Sequence, residues 1–98
     1  MRIYAVADMH GKKRRQDRAI ELASASDLAI ICGDITHFGP AEQAKLFLDE
    51  IGKKVKTFAL PGNCDEWGII DAIKASKAEN LHNNRLEFKG FAFFGYGG

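Results

Sequence analysis

The chain has 98 residues, 14 Lys+Arg against 13 Asp+Glu for a formal net charge of +1, and a 46% hydrophobic fraction. That suffices for one small globular domain with a thin core, and it excludes a disordered, collagenous or membrane-spanning chain, since no run approaches the ~18 consecutive apolar residues of a span. The near-neutral balance also leaves no electrostatic footprint of a general nucleic-acid binder.

Taken in chain order, short apolar runs alternate with helical periodicity, with no internal repeat. Ile3 to Ala7 is a first strand, and a polar helix from about Arg14 to Ser24 follows, with Ala19, Ile20 and Ala23 on one face. Leu28 to Cys32 lacks polar alternation, as expected of a parallel strand covered on both faces, and Gly33 ends it. Pro40 sits where the first residue of a second helix belongs; Ala44, Phe47, Leu48 and Ile51 then keep the i, i+3, i+4, i+7 rule, with Gly52 as its C′ stop. Val55 to Leu60 is a third strand, closed by Pro61-Gly62, after which Asp65 is placed to cap a helix from about Glu66 to Ser76 with Trp67, Ile70 and Ile73 on its core side. Arg85 to Phe88, a Lys89-Gly90 turn and Phe91 to Phe94 read as a hairpin. The expected fold class is therefore α/β, a βαβαβα parallel sheet followed by a β-hairpin, with residues 1–98 as a single domain.

In open α/β sheets the working groups lie just beyond the carboxyl ends of the parallel strands. Three polar clusters fall there: Asp8-Met9-His10-Gly11, Gly33-Asp34-Ile35-Thr36-His37 and Gly62-Asn63-Cys64-Asp65. Asp8, Asp34 and Asn63 are each about one βα unit apart, so they are expected side by side. Each cluster alone has an ordinary reading: Asp8 and His10 as cap or surface pair, Asp34 and Asn63 as turn residues. Their recurrence at three equivalent strand ends favours a metal site. Mixed carboxylate and imidazole donors suit Mn, Fe, Co, Ni or Zn better than Mg or Ca. A central Asp34 flanked by Asp8/His10 and by Asn63 suits two metals sharing one bridging carboxylate, which can polarise a phosphoryl group and acidify the attacking water. The chain has no nucleophile elbow and no glycine-rich nucleotide loop.

These motifs, Asp8-Met9-His10, Gly33-Asp34 with His37, and Gly62-Asn63-Cys64-Asp65, resemble the first three signatures of the calcineurin-like metallophosphoesterase superfamily, over residues 3 to about 96. The resemblance implies half of a two-sheet α/β sandwich, with Asp8 and His10 on one metal, Asp34 bridging both and Asn63 on the second. It implies a phosphoester substrate, nucleotides and nucleic acids included. Many members carry His where this chain has Cys64, as a group of phosphodiesterase-like relatives does; a neutral thiol is a poor proton donor, so diester hydrolysis is favoured over monoester hydrolysis. Cys64 and Asp65 occupy the general-acid slot, although Cys64 also reads as a small buried residue and Asp65 reads first as a helix cap. The histidines with which the family completes its site lie downstream of this segment, so the expectation is half of a dinuclear centre, with one metal or none held tightly. His37 is expected to support the site or to be solvated, and His82 to be structural.

Two cysteines are too few for a disulfide framework and fit free thiols, and Met1 to Ala7 is too short for a secretory apolar region, so a cytoplasmic protein is expected. Phe88, Phe91, Phe93, Phe94 and Tyr96 are expected to form an open apolar edge that favours a homo-oligomer or pairing with a complementary C-terminal half. The basic cluster Lys12-Lys13-Arg14-Arg15 with Arg18 reads as a solvated helix start or as a steering patch for phosphate. The reading is a metal-dependent phosphoesterase, more specifically a phosphodiesterase; the alternative is a non-catalytic fragment acting as an assembly or metal-binding module. A flavodoxin-like or receiver-like domain fits the βα order but not Asp-x-His or Gly-Asn-x-Asp.

Overall fold

A computed structural model describes residues 1–7, 9–36, 41–62, 65 and 68–96. Strands β1 (Ile3–Val6), β2 (Leu28–Cys32), β3 (Lys56–Leu60) and β4 (Glu79–Asn80) form one parallel sheet in the order β1-β2-β3-β4. Helices α1 (Lys13–Ala23), α2 (Ala41–Gly52) and α3 (Ile69–Ala75) make the crossovers. β5 (Asn84–Phe88) and β6 (Phe91–Gly95) form a separate antiparallel hairpin. The expected α/β class, a parallel βαβαβα sheet followed by a hairpin, is the observed one.

Period-2 alternation along the strands sorts side chains between the two faces. Tyr4, Val6, Ala29, Ile31 and Ala59 join the larger core with Ala19 and Ala23 of α1, Phe47, Leu48 and Ile51 of α2, and Ile69 and Ile73 of α3. A consecutive strand order with right-handed crossovers keeps all three helices on that face. Leu28, Phe58 and Leu81 form a second core on the opposite face, joined by Ile30, Leu60 and the hairpin residues Leu86, Phe88 and Phe93. Phe58 is its hub, edge-on to Phe93 at 5.5 Å and to Phe88 at 6.5 Å between ring centroids.

The hairpin covers only part of its face. In the register Ile3↔Leu28 and Ala5↔Ile30, β1 turns Ile3 and Ala5 toward the hairpin side, yet both are exposed. Cys32, the last residue of β2, is exposed as well, whereas Leu28, Ala29 and Ile31 are fully buried and Ile30 is half-buried, so the expected cover on both faces holds along β2 up to its end. The aromatic edge is likewise split: Phe88 and Phe93 pack inward, whereas Phe91, Phe94 and Tyr96 are 59%, 72% and 80% exposed.

Further differences from the sequence reading have local causes. β4 is a two-residue strand whose polar Glu79-Asn80 carries no hydrophobic signal; it is identified by its parallel pairing with Phe58 and Ala59. α3 starts at Ile69 with Gly68 as its N-cap residue, so Asp65 does not cap it. Gly52 lies within α2, and its missing side chain matters because a Cβ there would stand 2.6 Å from the Cβ of Lys77. Lys89 and Gly90, at φ 50° and 82°, make the expected hairpin turn. The expectations for Pro40 and Trp67 lie outside the described residues.

Candidate metal centre

Among the expected site residues, His10, Asp34 and Asp65 are described; Asp8, His37, Asn63 and Cys64 lie outside the described residues. Among the described residues no three His, Cys, Asp or Glu side chains form a metal-binding group.

The loops after β1 and β2 are joined backbone to backbone. The His10 amide donates to the Asp34 carbonyl at 2.9 Å, and the Gly11 amide to the Ile35 carbonyl at 2.8 Å. His10 and Asp34 both hold left-handed backbones, at φ 52° and 51°, beside Gly11 at 70° and Gly33 at 88°. Left-handed conformations in non-glycine residues cost about 1–3 kcal/mol and persist only where the surroundings impose them. Asn83 and Lys89 hold the same conformation before and within the hairpin; at the two adjacent strand ends it falls on residues with ligand-type side chains. Met9, between the two ligand-type positions Asp8 and His10, is 1% exposed and anchors the first loop in the helix-side core.

The loop after β3 approaches equally closely. A Cβ on Gly33 would lie 2.9 Å from the Cα of Gly62, and one on Gly62 would collide with the amide nitrogen and a carboxylate oxygen of Asp34 and lie 2.7 Å from its Cγ. These two glycines set the spacing between the second and third loops, a role invisible when each is read as a strand stop. The repetition of Gly-Asp and Gly-Asn steps at equivalent strand ends was the available signal.

Asp65 is the third tie. Its carboxylate accepts the Thr36 amide at 2.8 Å, the Thr36 hydroxyl at 3.1 Å, the Ile35 amide at 3.2 Å and the Gly62 amide at 2.9 Å. Thr36 is fully buried. A carboxylate with so many donors directed at it serves the two loops, and this use replaces the capping role expected from sequence.

The basic cluster at the start of α1 is partly neutralised. Lys13 pairs with Asp17 at 3.0 Å and lies 3.8 Å from Glu50, and Arg18 pairs with Glu21 at 3.3 Å. The Asp17 hydrogen bond raises the Lys13 pKa above its ordinary value. His82 belongs to the hairpin junction: its amide donates to Asn80 Oδ1 at 3.1 Å, and its ring lies 5.1 Å from that of Tyr96. Although Cys32 as a residue is exposed, partial burial of its thiol pushes the pKa upward, which disfavours the reactive thiolate form.

Carboxylate and imidazole are donor types that metal ions take, and Asp34 and His10 bring them to adjacent loops, with a glycine cradle against the Asp34 carboxylate. Known proteins resemble this chain in sequence and in fold. An uncharacterized protein of Methanocaldococcus jannaschii, MJ1162, is 33% identical over 98 residues, which are all of this chain and 44% of that protein. The fold is similar to that of TT1561 of Thermus thermophilus, with a TM-score of 0.82 at 18% identity over 98% of this chain and 48% of that one. It is also similar to Yfce, a phosphoesterase from E. coli, with a TM-score of 0.61 at 20% identity over 94% of this chain and 54% of that one. The chain thus spans about half the length of the relatives it matches. The calcineurin-like phosphoesterase family profile matches residues 1–98, the whole of this sequence, and by that match this chain belongs to the calcineurin-like phosphoesterase family.

Proposed function

We infer that the chain carries the first half of a metal-dependent phosphoesterase site directed at phosphodiesters. The observation that carries this reading is the pair of left-handed, backbone-linked residues His10 and Asp34 at neighbouring strand ends. Asp8 and His10 are assigned to one metal, Asp34 to both as the bridge, and Asn63 to the second. Mn, Fe, Zn, Co and Ni all suit these donors. Metal ions held by these residues would supply polarisation of a phosphoryl group and a lowered pKa for a bound water. The protein's part is to hold Asp34 against the neighbouring loops so that the ligands are in place before substrate arrives. Cys64 in place of an imidazole leaves leaving-group protonation weak, which favours a diester with a good leaving group.

The test is Mn²⁺-dependent hydrolysis of bis-p-nitrophenyl phosphate by the purified chain, with Asp34→Asn as the control. Hydrolysis that disappears in Asp34→Asn is the expected result. Turnover equal in the two proteins would defeat the bridging role. No turnover in either would favour the alternative, an assembly or metal-binding module.

Exposed apolar side chains support a further part of the reading. Ile3 on β1 and Phe91, Phe94 and Tyr96 on and after β6 are large, exposed and apolar, and residues 1–98 are read as one unit whose relatives are about twice as long. By itself the chain is expected to self-associate through such side chains, those of the hairpin above all. Sedimentation velocity should show species heavier than 10.8 kDa, and Phe94→Asp combined with Tyr96→Asp should shift them to the monomer. A parent chain that is monomeric at tens of micromolar would remove the homo-oligomer from the reading.

A further inference from the structure

The three loops at the strand ends are joined in series, the first to the second by the His10 and Gly11 amides and the second to the third by the Asp65 carboxylate. Asp34 lies in the middle of the series. Its backbone is gripped from both sides: its own carbonyl accepts from His10, and the next two residues, Ile35 and Thr36, give their amides to Asp65. Asp65 also accepts the Gly62 amide, while its own amide donates to the Gly62 carbonyl at 3.2 Å. It thereby bonds both ways with Gly62 and ties Gly62 to the loop holding Asp34.

We propose that Asp65 is a positioning residue of the metal centre, setting the distance between Asp34 and Gly62 through its clamp on Ile35, Thr36 and Gly62. The proposal deepens the metal-site reading above and rests on it. The physical reason is the acceptor count. A carboxylate has about four lone-pair sites over two oxygens, and Oδ1 takes both Thr36 donors while Oδ2 takes Ile35 and Gly62. An amide of the same shape keeps one acceptor oxygen and directs its NH₂ group at donors. Asp65→Asn therefore gives up either both Thr36 donors or the Ile35 and Gly62 amides, which loosens the clamp while changing almost no volume. A purely structural aspartate would, on replacement, lower the melting temperature and leave the folded protein's metal affinity unchanged. A positioning residue alters the affinity itself, and partners of metal ligands typically change it 10–100-fold.

The experiment is Mn²⁺ titration by calorimetry well below the melting temperature, on the parent chain, Asp65→Asn, Asp34→Asn and the double variant, with far-UV circular dichroism and melting curves of the metal-free proteins. Asp65→Asn is expected to bind Mn²⁺ about 10–100-fold more weakly. In the Asp34→Asn background the same change is expected to have no further effect on affinity, although it lowers the melting temperature by the same amount. Affinity within about twofold of the parent would overturn the proposal and leave the metal reading standing. A parent chain that binds no Mn²⁺ would overturn both. Should Asp65→Asn fail to fold, Thr36→Val, which removes only the hydroxyl donor, takes its place. It is expected to weaken Mn²⁺ binding several-fold, and unchanged affinity would again overturn the proposal.

Discussion

Gly62→Ala is expected to destabilise the fold by about 1–3 kcal/mol or more and to abolish the rise in melting temperature that Mn²⁺ produces in the parent chain. The added methyl would meet the amide nitrogen and carboxylate of Asp34. Part of the obstacle is the Asp34 backbone amide nitrogen, which no rotamer change of the Asp34 side chain moves, so full relief requires the second and third loops to separate. That separation displaces Asp34 from its neighbours. For a site that binds only the folded state, ligand at 100 times Kd stabilises by about 2.7 kcal/mol, on the order of 10 °C or more in a domain of this size. Thermal unfolding with and without Mn²⁺ reads both effects. A variant that keeps the parent's Mn²⁺ shift would show that Asp34 tolerates the displacement, and the cradle argument would be lost. Gly33→Ala adds a positive φ of 88° to a Cβ 2.9 Å from Gly62 Cα, so its destabilisation is expected to be at least as large.

Phe58→Ala is expected to cost about 3–5 kcal/mol, the range for a buried aromatic truncated in a core. For a chain of this length total stability is on the order of 5–15 kcal/mol, so the variant approaches the edge of folding. Phe58 is fully buried and lies edge-on between Phe88 and Phe93, with Leu28 and Leu81 in the same cluster. Its loss empties the hub through which the hairpin meets the parallel sheet, while the helix-side core has no share in that contact. Urea unfolding should show the reduced midpoint, and amide exchange should accelerate in β5 and β6 before β2. A loss below about 1 kcal/mol would mean that the hairpin does not depend on this contact.

Much of this architecture was legible along the chain. The run Leu28 to Cys32 and the spacing of Ala44, Phe47, Leu48 and Ile51 carry the strand and helix periods, and Lys89-Gly90 carries the turn. β4 was not legible because two polar residues have no period, and only pairing to β3 identifies them. Asp65 was misread as a cap because its local position, just before a helical pattern, fits that use. Its actual partners Ile35 and Thr36 lie 30 and 29 residues away in sequence.

The order of the βα units, the division of each strand into two faces and the placement of His10, Asp34 and Asp65 in loops after successive strands were determined by the sequence alone. Side-chain periodicity and turn chemistry act between near neighbours and need no knowledge of the rest of the chain. The close approach of Gly33 to Gly62, the Asp65 clamp and the uncovered strip beside Ile3 were decided only by the tertiary structure. They depend on the register between strands and on which part of a sheet a hairpin can cover. Those relations arise between residues tens of positions apart, where packing rather than local preference sets the distance.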